Sequence, residues 1–275
     1  MPIVAGWLVW LAGTLAGWPA VTDGQEFRVD TEVFFNQEKL PGLETLTIFS
    51  EGKVFDFLLT EPRETVILDP QRGRFTLLNE AQQVKATVTT HDLMQYTLEL
   101  EAQAAGVKDA VVAFAAKPQF ETKFEDIQQN GQSLVQITLG SKPLEYVALG
   151  QTPEGDQREA AARIYRHFAD WYARLNATRS ANLPPAARLV LNQTLAERGL
   201  LPLEITRTIT PAGPLAKKDE VKSRHLVNWT LSGEDRKKIE RAGSFAATFK
   251  PVSYDEYRRG FAKTAKPAPS KQASR

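Results

Sequence analysis

Three histidines, His91, His167 and His225, are the side chains in this 275-residue sequence best suited to proton transfer or metal binding near neutral pH. His91 precedes Asp92 at the expected start of a helix, where an acidic side chain answers the helix dipole, and a solvated first turn is the plainer account. His167 and Asp170 stand three apart on an expected helix and could share a metal ion. No third ligand is in view, however, and Asp170 points away from the apolar stripe, so the two read as a surface pair. His225 alternates with Val227 and Trp229 along an expected strand, the setting of a hydrogen-bonded, partly buried histidine rather than of a base. No G-x-S-x-G elbow, P-loop, G-x-G-x-x-G turn or H-E-x-x-H helix occurs. The carboxylate pairs Asp219–Glu220 and Glu234–Asp235 fall in charged loops and caps. The expectation is therefore no enzyme, no metal ion and no cofactor. An unrecognised hydrolase is the alternative, to be revived by a trio of polar groups converging near His167 or His225.

Charge and composition narrow the partners. With 34 Lys plus Arg against 33 Asp plus Glu the formal charge is +1, too small for a whole-molecule field that would draw the chain onto nucleic acid. The absence of cysteine removes thiol catalysis, zinc ribbons and disulfide frameworks. Residues 1–21 hold no charged side chain, and polarity returns at Thr22-Asp23-Gly24-Gln25-Glu26. That pattern reads as an export signal cut near Gly24, with an uncleaved membrane anchor as the alternative, since ~20 apolar residues can span a bilayer. Gly13, Gly17 and Pro19 interrupt a helix there and favour the cleaved signal. The location expected is periplasmic or secreted, with membrane contact only if residues 1–24 stay attached.

The positioning elements begin with a ladder. Phe55, Phe57 and Leu59 alternate with Val54, Asp56 and Leu58; Val66 and Leu68 alternate with Thr65, Ile67 and Asp69. Phe75 and Leu77, then Val84, Ala86 and Val88, repeat the period of two that marks half-buried strands. Glu61-Pro62-Arg63, Asp69-Pro70-Gln71-Arg72-Gly73 and Asn79-Glu80-Ala81-Gln82-Gln83 are connectors too short for anything but antiparallel neighbours. Phe27 to Phe35 and residues 43–50 add two strands upstream, making a six-stranded meander. The period then changes: Thr89 or Thr90 caps a helix with Leu93, Thr97, Leu100 and Ala104 on one stripe, ending at Gly106.

Strands resume at Phe120 to Phe124, Val135 to Leu139 and Leu144 to Ala148. A helical insertion over 156–199 follows, with Ile164, Phe168, Trp171 and Leu175 on one face and a second helix opened by Pro184 and Pro185. Strands over 203–210 and 224–231 and a short helix capped by Ser232 complete the domain. The fold expected is α+β, a large antiparallel sheet of about eleven strands curled into an open half-barrel, with helices inserted after about the sixth and ninth strands. It occupies 25–261 as a single domain. Residues 262–275 read as a disordered basic tail.

The element order, with turns reading GKVFDF, RETVILDP and RFTLLNEAQQ, resembles the LolA-like periplasmic lipoprotein-carrier superfamily over residues 26–150 and the two late strands. The resemblance implies an unclosed barrel whose apolar interior accepts acyl chains or an apolar partner segment. On that reading the ligand-binding residues are Phe55, Phe57, Leu59, Val66, Leu68, Phe75 and Leu77 on a concave face, with Tyr165, Trp171 and Tyr172 on a helical lid. An aromatic cluster at helical spacing is more often core than a ligand box, and core is the plainer account of this one. Leu58, Ile67 and Leu78 make the middle of the meander apolar on both faces, so both need cover. The function expected is non-enzymatic binding of a lipid or apolar peptide; a cell-envelope interaction module without a small ligand is the alternative. Asn176, Asn192 and Asn228 lie in glycosylation sequons, with Asn192 a chance match inside a helix.

Overall fold

A computed structural model describes residues 25–264, apart from 105, 130, 156–157, 180–182 and 214–216. The expected signal or anchor over 1–24 and most of the expected tail lie outside the described residues. Six strands open the chain: β1 (Phe27–Phe35), β2 (Leu43–Ser50), β3 (Lys53–Leu58), β4 (Glu64–Asp69), β5 (Arg74–Asn79) and β6 (Val84–Thr89). After α1 (Thr90–Ala104) and α2 (Ala110–Ala116) come β7 (Glu121–Gln129), β8 (Gln132–Gly140) and β9 (Leu144–Gln151). The expected insertion is two helices, α3 (Arg158–Ala177) and α4 (Ala186–Glu197), followed by β10 (Leu201–Ile209) and β11 (Asp219–Asn228). Helix α5 (Gly233–Thr248), the two-residue β12 (Lys250–Pro251) and α6 (Tyr254–Thr264) close the described chain.

All twelve strands join one open sheet in the order β12-β6-β5-β4-β3-β2-β1-β11-β10-β9-β8-β7. Every pairing is antiparallel except β12 with β6. The fold is α+β, with strand slightly ahead of helix at about 39% against 34%. The two halves of the chain meet where β1 pairs with β11, through Val29↔Val227, Thr31↔His225 and Val33↔Ser223.

Local chemistry accounts for the turns. Gly52 and Gly73 adopt φ of +70° and +56°, the left-handed region that glycine enters without steric cost. Thr89 and Asp92 bond reciprocally across the start of α1, and Ser232 and Asp235 do the same for α5. Helices α2 and α6 lie outside the sequence expectation, and α6 runs to Thr264, three residues into the stretch read as tail.

Registry defines two faces. The inner face, under α1 to α4 and α6, carries two apolar cores. One joins Phe27, Phe49, Val66, Leu68, Phe75, Leu77 and Val88 to Leu93 of α1, Phe168 and Leu175 of α3 and Tyr257 of α6. The other joins Ile137, Leu139, Tyr146, Ala148 and Ile205 to Ala115 of α2 and Leu191 and Leu195 of α4. The outer face of the meander bears a third core, in which Leu46, Ile48, Phe55, Phe57 and Leu78 meet Ala242 and Phe249 of the α5 segment. The apolar outer face thus finds its cover in α5. Each large side chain so buried contributes about 1.5–3 kcal/mol.

Candidate functional site

The sequence-derived binding residues do not share a face. Phe55 pairs with Ile67 and Phe57 with Thr65, whereas Val54 pairs with Leu68 and Asp56 with Val66. Val66 and Leu68 then pair with Leu77 and Phe75. Phe55 and Phe57 therefore belong to the outer core, and Val66, Leu68, Phe75 and Leu77 to the inner one. The single concave site that grouped them is corrected to two opposite surfaces. Tyr165, Trp171 and Tyr172 pack on the inner core as α3 covers it, with Phe168 set edge-on to Phe49 at 5.7 Å. They fill the interior rather than rim a hollow.

Within that interior lie two carboxylates which the apolar pattern hid. Asp56 on β3 and Glu64 on β4 are each 3% exposed. Asp56 accepts a hydrogen bond of 2.6 Å from Thr47 and another from the Tyr172 hydroxyl, while desolvation raises its pKa to about 6. Glu64 accepts from Arg179 at 2.5 Å and from Tyr257 at 3.0 Å. Burial and the Glu64 charge hold the Tyr257 hydroxyl protonated. The cluster ties the end of α3 and the body of α6 to the meander. Its members are saturated by one another, which is the arrangement of a structural anchor.

The second polar group lies at the seam between the two inner cores. His225 Nδ1 is 3.0 Å from Thr31 Oγ1, and Nε2 is 2.9 Å from Ser223 Oγ. Ser223 also reaches the Ile205 carbonyl at 3.4 Å. This is the converging trio named above for a hydrolase. Burial and the nearby Arg188 charge hold the His225 pKa down at about 3, so the ring is a weak base at neutral pH. On the helices above, Asp170 accepts from Asn192 at 2.9 Å, and Asn192 accepts from Arg188 at 2.9 Å. Asp170 thus joins α3 to α4 instead of pointing away from the packed side, and Asn192 is buried. His91 is exposed, as expected. No cluster of three metal-ligating side chains occurs among the described residues.

The outer face holds a hollow that touches sequence-derived site residues on an apolar floor. Between the end of β3 and α5 a slot of about 250 Å³ is lined by Phe57, Leu58, Leu59, Thr65, Ala242 and Phe245, with Arg63, Glu80, Lys238 and Arg241 around it. Leu59 is 41% exposed there. Arg241 is held by Glu80 at 3.1 Å, and its guanidinium lies 4.9 Å from the Phe245 ring centre. The α5 side of this slot was not foreseen, because its four lining residues are spread along a charged helix. A wider depression of about 990 Å³ beside α2 carries Lys108, Lys142 and Lys218, with Asp109 and Glu145 among them. Its charges are those of an ordinary solvated surface.

No family model matches the chain, and no curated protein matches it. Among solved structures it is similar to two crystal forms of PNGF-II, in space groups C2 and P21, each with a TM-score of 0.39. Identities are 11% and 12%, over 87% of this chain and 33% and 34% of those chains, so this chain spans about a third of the length of the structures it matches. A likeness of that size carries no functional argument.

Proposed function

We propose that this protein is a non-enzymatic binding protein that takes an apolar chain, acyl or peptide, in the slot between the outer face of the meander and α5. The observation that carries the reading is the slot itself: about 250 Å³ with Phe57, Leu58, Leu59, Ala242 and Phe245 in its lining. An engineered apolar cavity of ~150 Å³ suffices for a benzene-sized guest. Arg63, Lys238 and Arg241 stand at the mouth, Arg63 paired with Glu61 and Arg241 with Glu80, an excess of one positive charge that favours an acidic head group. The half-barrel interior, where the carrier resemblance would put acyl chains, is occupied by side chains of α1, α3 and α6. Export rests on the charge-free residues 1–21, with processing expected near Gly24.

That filled inner face supports a second reading, an envelope interaction module with no small ligand. Native mass spectrometry of the exported protein titrated with decanoate separates the two. One bound chain, lost in Leu59→Asp with the fold intact, is the result expected. An empty wild type at all decanoate concentrations would favour the interaction module.

A further inference from the structure

The two edges of the sheet are treated differently. At the β6 edge, β12 pairs through Lys250↔Val84 and Pro251↔Lys85, and the chain continues into α6. At the other edge β7 runs for nine residues, pairs among the described residues with β8 alone, and is exposed at all but Ile127. It contains no proline, and its register with β8 runs without a bulge from Glu121↔Gly140 to Gln129↔Gln132. A long, regular, unpaired edge is a template for another strand unless its charges forbid pairing.

The order of the charges decides what it can pair with. Because Gln129↔Gln132 closes the hairpin, the backbone N–H and C=O of Thr122, Phe124 and Asp126 point away from β8. We propose that β7 is a self-association edge, on which two copies of this chain pair antiparallel about a two-fold axis at Phe124. In that register Lys123 of each copy faces Glu125 of the other in a non-hydrogen-bonded pair, where side chains approach most closely. Thr122 faces Asp126, and Phe124 faces itself.

The neighbouring symmetric registers are repulsive. Centring on Glu125 sets that carboxylate against its own copy, and centring on Lys123 sets two ammonium groups together and Glu121 against Glu125. Slips by one residue are excluded because facing residues would then point to opposite sides of the sheet. Phe124 is 44% exposed, with the Arg198 guanidinium 3.6 Å from its ring centre, so its ring is held on the inner face beside the edge along which the two copies pair. The result is an isologous interface, closed at two copies.

Sedimentation equilibrium of the purified chain tests this. The wild type is expected to dimerise with concentration. Lys123→Glu and Glu125→Lys should each weaken the dimer at least tenfold. An equimolar mixture of the two should dimerise again, because the two acidic side chains of one variant then face the two basic side chains of the other. Phe124→Pro, which removes an outward N–H and leaves the β8 bonds intact, should give a monomer with an unchanged circular dichroism spectrum. A wild type that stays monomeric to its solubility limit would overturn the proposal, as would a dimer indifferent to these substitutions or a mixture that fails to recover.

Discussion

The Tyr172 hydroxyl of α3 donates to the Asp56 carboxylate of β3, so the helix that covers the inner face is fastened to the sheet by an acid whose pKa burial has raised to about 6. The unfolded chain titrates this group near 3.8. Folding therefore favours the protonated acid: the contribution is complete below about 3.8 and is lost as pH rises through about 6. Asp56→Asn should flatten that part of the pH profile. It should also stabilise the protein at pH 8 by about 1–2 kcal/mol, the relieved charge burial being partly offset by an amide donor without a partner. Denaturant titrations at several pH values check both.

The Asp56→Asn protein also exposes an opposite effect. His225 is held neutral, with a pKa near 3 against 6.5 unfolded, so its contribution is present above 6.5 and is lost as pH falls towards 3. In the wild type the two residues work against each other between about pH 4 and 6, on the pKa values above. Adding His225→Gln to Asp56→Asn should reduce the acid slope, leaving the part that His167, Glu26, Asp92, Asp235 and Glu256 contribute through their own lowered pKa values, at a cost of about 1–2 kcal/mol at pH 7 from the altered Thr31 and Ser223 bonds. Equal acid slopes with and without His225 would contradict the burial of the neutral ring.

Arg179 and Glu64 form the other anchor, and breaking it from one side should be worse than removing it. Arg179→Met leaves Glu64 buried without its cation and should destabilise by about 3 kcal/mol or more. Adding Glu64→Gln should recover much of the loss. Urea midpoints of the three proteins test the order.

Most of the strands were legible because turns and period agreed. Asp69-Pro70 to Gly73 and Asn79 to Gln83 fixed the hairpins, and Leu93, Thr97 and Ala104 marked α1. What stayed hidden was phase. The β3–β4 connection pairs odd residues with odd, Phe57 with Thr65, while the next pairs even with odd, Val66 with Leu77. Where both faces are apolar, alternation alone cannot say which side a residue takes. Asp56, the charge inside VFDFL, was the signal for the inner cluster. Helix α2 is seven residues of Val, Ala and Phe, too short for a helical period to emerge. Helix α6 had signs that could have been used: Ser253 and Glu256 form a reciprocal cap, and Tyr254, Tyr257 and Phe261 make one stripe.

The central claim places an apolar chain outside the half-barrel, beside Phe57, Leu59 and Ala242, and away from α3. Methyl-resolved NMR of the protein titrated with decanoate tests it most directly. Saturable shifts at the methyl groups of Leu59 and Ala242, with Leu68, Leu77 and Leu175 unmoved, are the predicted result. Shifts at those three inner-core leucines, or none at the slot, would contradict it.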